Sequence, residues 1–474
     1  MRRFVLLLGI LAATSTLAQV TPYGATFPPN GTAVGAKNGT TGKMVPITTD
    51  ATGNVTVTTG TGATVAVGKA TASPPDYTEG SVVTESMDLD GHQRVKLPAT
   101  QRSAFGAVLT ASDTVEIHAQ FPYNINPRLV TSTTANGGTV TQSNGKAVLQ
   151  TSAANNGSAT METVKAIKYT PGQGVVIRFT GLFTTCTASS TQEIGVGNAT
   201  DGYFFGCNGN AFGINRRQNG SDNWTAQTAW NTDKMDGTGP SKQVLDITQG
   251  NVYAIEFQWL GFGMIRYSVE NSTTGEVVIV NKIRYANTTT LPSIFNPTLP
   301  LHAAVINSGN ASNLTVQTAS MGAATEGPRN DFGINNAADN AKSAVSTITN
   351  IISLQNRATY AGITNRARIK LTSYSCSVST GTPTFFRIHR NATLGGVPSF
   401  TNFSTNQSIA ATDTAGTTVT GGDLIYSTVI VSNQWIDMEA KDIHIEPGET
   451  FTFSATSTAG GVNVAVSVTW REEF

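Results

Sequence analysis

The sequence predicts an all-β fold: two jelly-roll sandwiches behind an extended, hairpin-rich N-terminal stem. Three observations predict it. Apolar and polar residues alternate at period two through much of 105–324 and 347–474, as in strands with one buried face. Gly- and Pro-centred turn signals punctuate those runs at short intervals, the spacing of strands joined by tight turns. Charged residues make up only 13% of the 474, against about 25% in ordinary globular chains, so the surface is built from hydroxyls and amides.

Residues 1–18 carry a basic head, Arg2 and Arg3, before the apolar run Phe4 to Ala13. That run is too short to cross a bilayer of about 30 Å and has the shape of a secretion signal or N-terminal anchor. Residues 19–101 write one phrase twice, "GKMVPITTDATGNVTV" from Gly42 and "GSVVTESMDLDGHQRV" from Gly80. Each reads as strand, Asp-x-x-Gly turn, strand. Asp50 and Asp88 close the turns through side-chain bonds, and Gly53 and Gly91 take the positive φ. A lone hairpin is marginal in water, so this stretch is expected to order against sister chains or a docking surface. "DLDG" fails as a calcium loop, because the twelfth position from Asp88 is Ala99, which has no ligand oxygen.

Residues 102–325 hold the firmer strands. "GVVIRFTGLF" follows Pro171-Gly172, and "VYAIEFQW" puts Tyr253, Ile255, Phe257 and Trp259 on one face. With "MIRYSVEN" and "VVIVNKIRY" it forms an antiparallel meander, and the whole block suits a large two-sheet sandwich. Residues 326–346 are small and polar and read as a linker. Residues 347–474 predict a smaller sandwich, most plainly in "GVNVAVSVTW", where Val462, Val464, Val466, Val468 and Trp470 share a face.

Chemistry is sparse. Nucleophile elbow, metalloprotease, phosphate-loop and dinucleotide motifs are all absent. Thirty basic and thirty acidic residues cancel without a basic stripe, which argues against nucleic acid. No catalytic residue, cofactor or metal is expected. A glycosidase needs two carboxylates at a set separation, yet the strongest central strand carries Glu256 alone, and Glu446 and Glu449 straddle a turn. The three cysteines, Cys186, Cys207 and Cys376, are expected as buried thiols, with a Cys186–Cys207 bridge as the alternative. For ligand contact the candidates are Trp224, Trp230 and Asn223, in the polar stretch "NGSDNWTAQTAWN", because amphipathic rings in polar loops serve as binding surfaces.

"YTEGSVVTESMDLDGHQRVKLPA" (Tyr77 to Ala99) resembles a short module of structural proteins of tailed bacteriophages. "DGYFFGCNGNAFGINRR", "GNVYAIEFQWLGFGMIRYSVEN" and the closing "PGETFTFSATSTAGGVNVAVSVTWREEF" are similar to the sandwiches of such virion proteins, the central one also found in large DNA viruses. The resemblance implies a concanavalin-like central sandwich and a non-enzymatic head fibre, decoration protein or spike. Such a protein is a homo-oligomer, commonly a trimer, held on capsid or other virion proteins through its stem, with the central sandwich contacting cell-surface glycans. The rival expectation, drawn from the first eighteen residues, is a secreted bacterial carbohydrate-binding or adhesin-like protein.

Overall fold

The computed structural model describes residues 113–328, 332–379, 381–438 and 441–474, together with short strand segments nearer the N-terminus. The chain divides into two compact units, Met1–Lys96 and Leu97–Phe474. In the first unit Thr48–Thr49 pairs antiparallel with Val55–Thr56, and Met87 bridges Gln93. In each repeat, residues on either side of the Asp-x-x-Gly phrase therefore face each other antiparallel. The turn residues Asp50, Gly53, Asp88 and Gly91, and the apolar run from Phe4, lie outside the described residues.

In the second unit every described element of more than three residues is a strand. The larger sandwich stacks a nine-stranded sheet on a seven-stranded one, a concanavalin-like jelly-roll arrangement. Its meander is as the alternation predicts. Asn251–Phe257 pairs antiparallel with Ile265–Glu270, which pairs with Val277–Ile283. Tyr253, Ile255 and Phe257 are buried, and Trp259 packs partly buried against the same core. Phe179 and Phe205 meet edge to face at 6.3 Å, and Phe205 lies 4.8 Å from Tyr253. Interlocked rings of this kind dominate the burial energy of a core.

The smaller sandwich has a five-stranded and a six-stranded sheet. Val462, Val464, Val466, Val468 and Trp470 all point into its core. Tight turns need the left-handed backbone, which glycine adopts without steric cost. Gly448 (φ 87°) does so in the turn before Thr450–Ser457.

Two expectations are corrected. The segment 326–346 is not a linker. Its residues Ile334–Val345 form a strand, paired antiparallel with Val462–Glu473. The alternation is present but written in small polar residues: Ala338, Asn340 and Lys342 are half-buried while Ala337, Asp339 and Ala341 are exposed. An edge strand is held by its backbone ladder and by side-chain bonds, here Asn336 Nδ2 to Glu472 Oε1 at 2.9 Å and Asn340 Nδ2 to the Ile351 carbonyl at 2.7 Å. It needs no large apolar row to be recruited. The second correction concerns the thiols. Cys186 and Cys207 form a disulfide, with their Cα atoms 5.4 Å apart, and Cys376 remains a buried free thiol. Cys207 faces the core from its strand, and Cys186 sits just past the strand Val175–Phe183, where it packs on that core.

Candidate functional site

The residues singled out in the sequence do not converge. Trp230 is 3% exposed, wedged against Phe205 at 6.1 Å and Phe212 at 6.2 Å, and so belongs to the core. The short turn Gln227–Ala229 delivers it there. Trp224 is half-buried and Asn223 exposed, on the strand Ser221–Ala226 at the edge of the seven-stranded sheet. Adjacent strand residues point to opposite faces, so these two cannot grip one ligand side by side. Their polar neighbours mark a sheet edge, not a binding loop.

The outer face of the same sheet carries a charged chain. Asp222 accepts from Arg217 Nε at 2.7 Å. Arg217 grips Glu193 with two bonds, at 2.9 and 3.0 Å, and lies over the Phe204 ring at 5.0 Å. His302 joins Glu193 through Nε2 at 3.1 Å and Glu162 through Nδ1 at 3.0 Å. Burial alone would depress the His302 pKa, but the two carboxylates raise it to about 9. Both ring nitrogens therefore donate at neutral pH. Burial likewise works against Glu193 ionisation, yet His302 and Arg217 outweigh it and hold the carboxyl below its ordinary range. A carboxylate so fully engaged has neither a proton to give nor a lone pair to spare. The chain ties together five strands, and its design is that of an internal brace.

Other acids are engaged less completely. Arg266 sits 3.7 Å from Glu256, whose carboxyl burial still holds above its ordinary range, and Glu449 Oε2 accepts from the Glu446 backbone N–H at 2.9 Å within one turn. Among the described residues no cluster of three or more His, Cys, Asp or Glu side chains is arranged to hold a metal.

A different surface has the form of a receptor. The five-stranded sheet of the smaller sandwich runs Ile334–Val345, Val462–Glu473, Arg368–Val378, Asn433–Asp437 across its four long members. On the side away from the core its register builds two level rungs. Asp339 faces Ser467, Ser467 faces Ser375, and Ser375 faces Trp435. The next rung is Ala341, Ala465, Ser377 and Asn433. The floor is thus made of methyl and hydroxymethyl groups. Trp435 stands at one edge, 66% exposed, on the same face as the amide of Asn433. The cleft encloses about 420 Å³. A large aromatic ring left that open on a polar sheet face is unusual, because burying it is strongly favoured. Around it lie hydroxyl, amide and carboxylate groups that both donate and accept.

This face was legible after the fact in "NQWID", where Asn433, Trp435 and Asp437 point outward around a buried Ile436. The serines at every second place of "SYSCSVS" gave the complementary signal. Polar neighbours single out Trp224 and Trp230, whereas alternation singles out Trp435.

No protein-family model matches the chain, and no curated protein matches it in sequence. Several solved structures are similar. Cellulose induced protein Cip1 shares 14% identity at a TM-score of 0.29, with 44% of this chain and 96% of that one covered. The carbohydrate recognition domain of Emp46p, in its potassium-bound form, shares 10% identity at 0.28, covering 44% and 96%. A glycosyl hydrolase family protein from Mycobacterium fortuitum shares 10% at 0.30, covering 43% and 95%. At scores this low they lend this chain no residue and no activity; its fold rests on its own sheets.

Proposed function

We propose that the chain is a non-enzymatic attachment protein that binds glycans through the Trp435 face of its smaller sandwich. It is held by its N-terminal stem, as a homo-oligomer, on a larger assembly such as a virion surface. One observation carries the binding part: an exposed indole at the edge of a shallow trough with a flat floor of methyl and hydroxymethyl groups. Such a ring offers a dry platform to the C–H face of a pyranose, while Asn433, Ser375 and Asp339 serve the hydroxyls. The relocation from the larger to the smaller sandwich follows from the burial of Trp230. The non-enzymatic part is supported by the engagement of Glu193, Glu162 and Glu256 in ion pairs. The stem is supported by the paired backbone of both repeats.

The test is binding of the intact chain to a glycan panel, with Trp435→Ala beside it. The expected result is a glycan signal that weakens about tenfold or more in the variant, the loss of a central aromatic contact, with unchanged circular dichroism. Indifference of every bound glycan to Trp435→Ala overturns the assignment.

A second reading, the secreted adhesin, is favoured by one feature. The Cys186–Cys207 disulfide suits an oxidising compartment, since cytosolic bonds of this kind are rare. Proteomics of purified particles against culture supernatant separates the two.

A further inference from the structure

The trough at Trp435 has a charge inventory and a shape that narrow its ligand, and the narrowing rests on the glycan reading above. Its lining residues include one carboxylate, Asp339, and no lysine or arginine. Along the strand Val462–Glu473 the first cation past Ser467 is Arg471, four residues on and about 13 Å away at strand rise. It is already 3.9 Å from Glu473. Lys342, on the strand carrying Asp339, is drawn to the Gly416 carbonyl. An anionic sugar laid in the trough would meet the Asp339 carboxylate with no cation among the lining residues.

Shape gives the rest. Ala341, Ala465, Ser375, Ser377 and Ser467 rise no higher than a hydroxymethyl group, so the floor accepts a chain lying flat. From Asp339 to Trp435 is three inter-strand steps, about 14 Å at about 4.8 Å each, more than one sugar ring can bridge.

We propose that this face takes a neutral, unbranched oligosaccharide laid across the four strands, stacked on Trp435 at one end and hydrogen-bonded to Asp339 at the other, and that it excludes uronate, sialylated and sulfated chains. Asp339 is the specificity-determining residue. A carboxylate accepts two hydroxyl donors and repels an anion by the same charge.

The test is titration calorimetry of the full chain with neutral gluco-, xylo- and galacto-oligosaccharides of one to six rings, with oligogalacturonate and sulfated oligosaccharides beside them. The variants are Trp435→Ala and Asp339→Lys, both at exposed positions, with thermal melts to confirm folding. The expected result is affinity for a neutral series that rises to about three rings and then levels, with the acidic series at least about tenfold weaker. Asp339→Lys should narrow or reverse that ratio. Acidic chains that bind as well as neutral ones and lose affinity in Trp435→Ala overturn this inference while leaving glycan binding intact. A single ring that binds as tightly as three overturns the cross-strand placement. Binding of every sugar unaffected by Trp435→Ala overturns the underlying function instead.

Discussion

His302 and Glu446 sit at buried positions where protonation and folding are linked in the same direction for different reasons. His302 is stabilised as imidazolium by Glu162 and Glu193, and its pKa rises to about 9, from about 6.5 in an unfolded chain. Its contribution is therefore complete below about pH 6.5 and is lost as pH rises through 9. Glu446 is 5% exposed, and its Oε1 has no hydrogen-bond partner. Burial pushes its pKa to about 7, with Arg368, Lys165 and Arg390 pulling it back and Glu449 adding to the rise. An acid shifted upward costs stability as pH climbs from about 4.3 to 7, and no further above that. Melts from pH 4 to 10 should show the gain from Glu446→Gln growing up to pH 7 and then holding. His302→Gln should lose about 3 kcal/mol or more near pH 6, the usual result of leaving buried carboxylates without their cation. That deficit should shrink toward pH 9; a deficit independent of pH would mean that the imidazole is neutral.

At the level of elements, the strands with large residues at alternate places were readable directly. "VYAIEFQW" and "GVNVAVSVTW" bury the faces their patterns name, because Tyr, Ile, Phe and Val leave no doubt which side meets the core. Ile334–Val345 was not readable, since its inward places hold Asn336, Ala338, Asn340 and Lys342, which read as solvent-facing until a ladder and specific acceptors are supplied. The same blindness hid the binding face: Ser and Ala report no preference for water or core, and only the register reveals that they form a level floor. Asn336→Ala tests the strand. It leaves Glu472, which is buried, without one donor, although Ser408, the Ile409 amide and Trp470 still serve it. The smaller sandwich should lose about 1–2 kcal/mol in denaturant titration, while Ala337→Ser on the outward side should be silent. A linker would leave both silent.

The second unit as a whole contains two separate hydrophobic cores, one drawn from residues 117–323 and the other from 345–470. Calorimetry should resolve two transitions. The disulfide lies in the first core only and closes a loop of sequence separation 21. Its reduction should lower one transition, by about 3 kcal/mol on the loop-entropy estimate, and leave the other in place. A single transition that moves as one would show the sandwiches to be a cooperative whole. Within the smaller sandwich, Ile334 is paired with Glu472, so that the ladder joins the two ends of the domain. Val462–Glu473 is also the central partner of Arg368–Val378. The strand Ile334–Val345 therefore waits for Val462–Glu473 before its ladder can zip, and loop closure over so long a span is slow. Through that interval the nascent domain carries unclaimed strand margins, which leaves it open to chaperone capture or to premature pairing with a neighbouring nascent chain.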